Sequence, residues 1–324
     1  MSDEGTAAIV ARLRKENIRG AYGFIGSHEF QDFYPGEYRR VRGTVDLHVH
    51  VGVGRQEPVA LTKLASEAGM RALVFKSFGL KSTAALAVAT NAHIRGWAEI
   101  NGVSACEVIG GSILSKDTPC PWPDYVVQEA DAGSRVIWFP VVDSANHMMV
   151  GHGVDAETAA REGLSVLTRG SLTAQADETL HAIKEHGMAV SFGHASKDEF
   201  FALAARCAEI GLTRTFVDHP FSPVAGLTVR DMAELGQMGV TMNLTNFELS
   251  PYCGVPAAEI ASAVREIGTS AVAFSSDSGL DIMPHAIECS RLHTALLDLY
   301  GFSEAELREI CSDNPRRIAG IPPD

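Results

Sequence analysis

Eight short, β-branched runs recur along this chain with helical patterns between them, and that recurrence restricts its fold more than any other feature. The runs lie at 44–51, 71–77, 107–113, 135–143, 188–194, 214–219, 239–245 and 270–277. Their starts are separated by 27, 36, 28, 53, 26, 25 and 31 residues. Most of these intervals hold one strand and one helix, and eight such units close a parallel (β/α)8 barrel of the TIM type. Helix signals agree: 58–70 carries a helical pattern, and 196–211 opens on Ser196 with Glu199 three residues on and closes at Gly211. The interval of 53 residues implies a long insertion after the fourth strand, covering 146–170, which reads as a lid over the catalytic face. Residues 1–43 read as an N-terminal extension packing on the barrel, and 44–324 as the barrel domain.

Composition narrows the function. The chain has 324 residues, 46% of them apolar and 21% charged, enough to bury a large core. A net charge of -13 with no basic run argues against a nucleic-acid or anionic-membrane partner. No apolar stretch approaches the roughly 20 residues of a membrane helix, and the N-terminus does not have the pattern of a signal peptide. The six cysteines show no paired spacing and read as reduced thiols, so a cytoplasmic location is expected.

Chemistry gathers at the ends of the runs. The first contains Asp46-Leu47-His48-Val49-His50, in which strict alternation sends Asp46, His48 and His50 to one side and Val45, Leu47 and Val49 to the other. Two imidazoles two residues apart on a strand can grip one cation from one direction. The second run ends with Lys76, the fourth with Asp143, the fifth with His194, the sixth with His219 and the eighth with Asp277. Alternation places Val74 with Lys76, Phe192 with His194, Val217 with His219 and Ser275 with Asp277, all facing the lumen. Barrel enzymes keep their reacting groups at these C-terminal ends.

DxHxH on the first strand, histidines on the fifth and sixth and an aspartate on the eighth resemble the amidohydrolase superfamily of metal-dependent barrel enzymes. The tail Asp313-Asn314-Pro315-Arg316-Arg317-Ile318-Ala319-Gly320 is similar to one common there, and the likeness spans about residues 44–320. Carried over by position, the resemblance makes His48, His50 and Asp277 ligands of one divalent ion, and His194 and His219 holders of a second or helpers of the first. Asp277 would also take a proton from activated water. One or two ions are implied, zinc first and manganese as its rival. Lys76 departs from the pattern, because bridging lysines of that superfamily sit on the fourth strand. It reads as a carboxylated bridging ligand, as a free ammonium acting on substrate, or as the partner of Asp143 or Asp46 in a structural ion pair.

Around the mouth, His147, His152, Asn243 and Asp143 are candidates for holding substrate, and Asp46 for orienting a ligating imidazole. His219 precedes Pro220, whose ring restricts the backbone before it. Together these features imply a hydrolase that uses metal-activated water to cleave an amide, cyclic amide, lactone or ester bond in a small molecule. A single-metal lyase on the same scaffold is the alternative, and homo-oligomerisation is left open.

Overall fold

A computed structural model of the protein describes residues 41–52, 56–77, 79–280 and 283–323. The N-terminal extension expected for 1–43 therefore lies almost wholly outside the described residues. Eight parallel strands form one sheet in sequential order: β1 Val45–His50, β2 Ala72–Lys76, β3 Glu107–Ile113, β4 Ser134–Trp138, β5 Ala189–Ser191, β6 Thr215–Asp218, β7 Thr241–Thr245 and β8 Val272–Ser275. The ends meet through a parallel bridge between Val49 and Ser278. Asp277 N donates to His48 O at 2.9 Å and His50 N to Ser278 O at 2.9 Å. The architecture is the (β/α)8 barrel that the spacing of the runs calls for.

The helices follow from local chemistry. Glu57 caps Pro58–Ala68, accepting from Val59 N at 3.1 Å, and Gly69 ends that helix at φ 77°. The Ser196/Glu199 capping box opens Lys197–Ile210, which Gly211 terminates at φ 74°. Near the C-terminus the backbone widens into a π-turn over Glu309–Asp313 before the helix Asn314–Ala319. Pro315 explains the widening, because it has no N–H to offer and its ring crowds the preceding turn.

Two apolar layers distinguish the inside of the barrel from its outside. Val45, Leu47, Ala72, Val74, Ile109, Val136, Trp138, Ala189, Phe216 and Ala273 fill the lumen and meet Ile318, Ala319 and Ile321 of the C-terminal segment. Leu73, Phe75 and Val49 instead pack outward against Leu61 and Ala65 of the first helix. Asn314 Nδ2 donates to Thr269 O and Val272 O, both at 2.8 Å, and so ties the C-terminal helix to the start of β8. The C-terminal tail thus closes the end of the barrel opposite the polar strand ends.

Strict alternation along β1 does not hold. Asp46 pairs with Leu73 but Val49 with Phe75, so β1 carries one residue more than β2 across that interval. This bulge puts Leu47 in the lumen and Val49 outside, where unbroken alternation would keep them together. β4 also ends early, at Trp138, because Pro140 cannot donate to a ladder. Asp143, expected at the end of that strand, lies beyond it.

The insertion after β4 folds into helices Ala145–Val150 and Ala156–Glu162 and a short hairpin of Leu167–Thr168 with Ser171–Leu172. It is latched to the barrel. Asn146 Nδ2 donates to His194 O, Ala195 O and Val224 O at 3.2, 3.2 and 2.7 Å, and Val166 N donates to buried Glu199 at 2.9 Å.

Candidate metal centre

At the C-terminal ends of the strands, three ligand atoms converge. His48 Nε2 and His50 Nε2 are 3.0 Å apart, and Asp277 Oδ1 lies 3.2 Å from the first and 3.1 Å from the second. Ligands on a cation held at 2.0–2.2 Å come to about 3 Å from one another, so this triangle fits one divalent ion. All three side chains are buried. Burial, the largest influence, and the neighbouring His48 push the His50 imidazole down to about 4 against the pull of Asp277, leaving it neutral near pH 7 as a ligand must be. Burial alone would raise the Asp277 carboxyl, yet His48, His50 and His219 hold it well below the usual carboxylate range. Asp277 sits at φ 50°, a left-handed conformation rare for side-chain-bearing residues and common where a group is aimed at a site.

A second pair stands beside the triangle. His194 Nε2 and His219 Nε2 are 3.3 Å apart, and the His219 and His48 rings are 5.9 Å apart. Burial chiefly lowers both imidazoles of the pair; the neighbouring His219 adds to it at His194, whereas Asp277 and Asp218 oppose it at His219. Their routes to the site differ from the alternation expected. Phe192 and Val217 both pack outward against the helices, in the cluster of Phe200, Leu203 and Met232. The chain turns over after each of them, at Gly193 (φ 63°) and at His219 itself (φ 37°), and these turns bring the imidazoles round. A side chain at 193 would collide with Phe139 O, which makes glycine necessary there. Pro220 follows His219 without keeping it extended.

A polar layer underlies the imidazoles. Asp218 Oδ1 lies 3.1 Å from His48 Nδ1 and accepts from Asn243 Nδ2 at 2.8 Å. Its Oδ2 accepts from Trp138 Nε1 at 2.9 Å and Ser191 Oγ at 2.8 Å. Asn243 Oδ1 accepts in turn from Ser275 Oγ at 2.7 Å, and Ser275 Oγ from Leu47 N at 2.9 Å. Strands β1, β8, β7, β6, β5 and β4 are thereby joined beneath the triangle. Burial opposes the charge of Asp218, but His48 and Lys76 outweigh it and keep the carboxylate ionised.

Several sequence expectations are corrected by this layer. Asn243, expected to hold substrate, spends both ends of its amide on Asp218 and Ser275. Asp46 does not orient an imidazole: its Oδ1 accepts from His48 N at 3.0 Å and Ser276 N at 3.1 Å, stitching β1 to β8. Asp218 is the carboxylate that stands beside the His48 imidazole instead, 3.1 Å from its Nδ1. An acid directly before a candidate ligand histidine is the sequence signal for it, and the left-handed turn at His219 reverses the side that plain alternation assigns. Asp143 faces away, accepting from Lys116 N at 3.0 Å. Lys76 forms no ion pair with Asp143 or Asp46. Its buried Nζ stands over the Trp138 ring at 5.2 Å, with burial lowering its pKa against the fields of Asp218 and Asp277.

On the insertion, His147 is half-buried and its Nδ1 lies 2.6 Å from His194 Nδ1, the rings meeting edge to edge with centroids 4.7 Å apart and planes 21° apart. His152 is exposed at the rim, with its ring 4.8 Å from that of His147. Glu248, which sequence reasoning missed, is fully buried and accepts from Phe221 N at 2.7 Å and from Thr245 N, fixing the turn after His219. Its signal was the Thr245/Glu248 capping-box spacing. An aromatic wall runs outward from the centre: Phe247 lies 5.9 Å from the His219 ring and stacks on half-exposed Tyr252 at 5.4 Å.

Residues 43–243 match the family described as a family of unknown function, DUF6282. The chain belongs to that family. No curated protein matches this DUF6282 member in sequence. Its fold is similar to that of an amidohydrolase from Pseudomonas aeruginosa (TM-score 0.63, 13% identity, covering 88% of this chain and 98% of the other). It is also similar to a zinc-bound amidohydrolase from Burkholderia multivorans (TM-score 0.51, 14% identity, 86% and 99%) and to a dihydroorotase (TM-score 0.52, 14% identity, 87% and 72%). These likenesses are of fold, the (β/α)8 barrel that the spacing of the runs calls for. Among the described residues no helix is long and apolar enough to cross a membrane, and all six cysteines are free thiols.

Proposed function

We propose that this DUF6282 protein is a metal-dependent hydrolase that cleaves an amide, cyclic amide, lactone or ester bond in a small molecule. The observation that carries the reading is the His48, His50 and Asp277 triangle, with ligand atoms 3.0–3.2 Å apart. His194 and His219 are the donors for a second ion, zinc being favoured by the nitrogen-rich set and manganese its rival. A divalent cation there supplies Lewis acidity and lowers the pKa of water from 15.7 toward about 7. Asp277 takes the proton from the attacking water and returns it to the leaving nitrogen or oxygen. Asp218 holds the His48 ring in place throughout. Phe247 and Tyr252 offer a planar apolar surface to the part of the substrate that does not react, and His152 a rim contact.

Lys76 serves from the pocket floor. Its lowered pKa enlarges the neutral amine fraction, the form that can be carboxylated to bridge two cations. One observation favours a second reading, a single-cation lyase: β4 directs no carboxylate or lysine into the pocket among the described residues, since Asp143 is turned away.

Elemental analysis of purified protein tests the reading and is expected to find one or two equivalents of a transition metal. His48→Ala with His50→Ala should abolish the first equivalent while circular dichroism stays unchanged. Lactones, cyclic amides, esters and aromatic carboxylates, followed by product mass, separate hydrolase from lyase. Protein free of metal after gentle purification and unable to take up zinc would overturn both.

A further inference from the structure

The segment inserted after β4 holds His194 at three points. His194 N donates to Pro140 O at 3.0 Å. His194 O accepts from Ser144 Oγ at 2.8 Å and from Asn146 Nδ2 at 3.2 Å. Its ring is met by His147, with Nδ1 to Nδ1 at 2.6 Å and an interplanar angle of 21°. Ser144 also caps the helix that carries His147, accepting from His147 N at 2.9 Å, so backbone and ring contacts are set by one device. A Cβ at position 151 would lie 2.9 Å from His147 Nε2, so glycine there leaves the room that this ring position needs.

We propose that His147 is the positioning residue of His194, and that cation binding at the His194/His219 pair depends on the inserted segment through it. The inference rests on the cation-binding reading above and extends it to this segment. With His194 Nε2 committed to a cation, its proton resides on Nδ1 and is donated to His147 Nδ1. That contact fixes the tautomer and keeps Nε2 directed at His219 Nε2. The two positions are then unequal. His48 is backed by the Asp218 carboxylate and shares its ion with Asp277. His194 is backed by a neutral imidazole, and His219 Nδ1 by the Ser222 hydroxyl at 3.2 Å. The His194/His219 position therefore binds more weakly and is the one that His147 governs.

The test is a titration of the full-length apo protein with zinc, followed by calorimetry and elemental analysis, with cobalt absorption spectra as an independent signature of each position. Wild-type protein is expected to bind one equivalent tightly and a second more weakly. His147→Phe, which keeps an aromatic ring but removes the acceptor, should weaken only the second step, by about 10- to 100-fold. His147→Asn, whose amide oxygen takes the place of Nδ1, should restore most of it. It also serves as the informative variant if His147→Phe fails to fold. An unchanged second step in both variants would overturn the proposal, as would equal weakening of both steps. A single equivalent in the wild type overturns it while leaving the hydrolase reading standing, whereas no bound cation at all overturns both.

Discussion

His48 Nδ1 lies 3.1 Å from Asp218 Oδ1, with both side chains 1% exposed. That pairing links a triangle ligand to a carboxylate that four groups from four strands approach. Asp218→Asn would leave one acceptor and place an amide among donors. It is expected to weaken zinc binding about 10- to 100-fold, measured by competition with a chelator, and to cost about 3 kcal/mol of stability. Unchanged zinc affinity would mean that Asp218 does not support the site.

Asp277→Asn separates charge from shape. Asparagine tolerates the left-handed backbone at φ 50°, so the apo variant should melt within a few degrees of wild type. Turnover is expected to fall about 10²- to 10⁴-fold through loss of the proton acceptor, together with weaker zinc binding. Near-normal turnover of a substrate hydrolysed by wild type would remove Asp277 from the proton-transfer role.

Lys76 can be probed without knowing the substrate. If it is carboxylated, reconstitution in bicarbonate-free buffer should lower zinc uptake, and Lys76→Ala should regain the lost equivalent on adding a short carboxylic acid. High-resolution density beyond Nζ would agree. Bicarbonate-independent zinc binding together with a bare ammonium in the density would shift the assignment toward the single-cation lyase.

His293 predicts an acid sensitivity away from the site. Its Nε2 is buried without a partner beside Phe274, whose ring is 4.1 Å away, and burial pushes the imidazole down to about 3. The unfolded chain holds that proton below the ordinary value of 6.5, so stability declines as pH falls from 6.5 toward 3. At pH 5 this one group costs about 2 kcal/mol relative to pH 8. His293→Leu should therefore show a smaller drop in Tm between pH 8 and pH 5 than wild type. An identical drop would show that His293 titrates normally.

What the amino-acid sequence determined by itself was local. The eight β-branched runs became the eight barrel strands, and the Ser196/Glu199 box and Gly211 bounded their helix, because propensity and capping act over a few residues. Residue type at the strand ends was equally legible, placing His48, His50, Lys76, His194, His219 and Asp277 on one face of the barrel. Tertiary structure decided which way each side chain points. A single extra residue in β1, the turn at Gly193 and the left-handed backbone at His219 each shift the phase of alternation, and a one-residue shift exchanges inside for outside. Those phase shifts gave Asp218 the support of His48, returned Asp46 to backbone stitching and absorbed Asn243 into the polar layer. They are set by hydrogen bonds between strands far apart in the chain, such as His219 N to Asn243 O and Asp277 N to His48 O, which no local pattern carries.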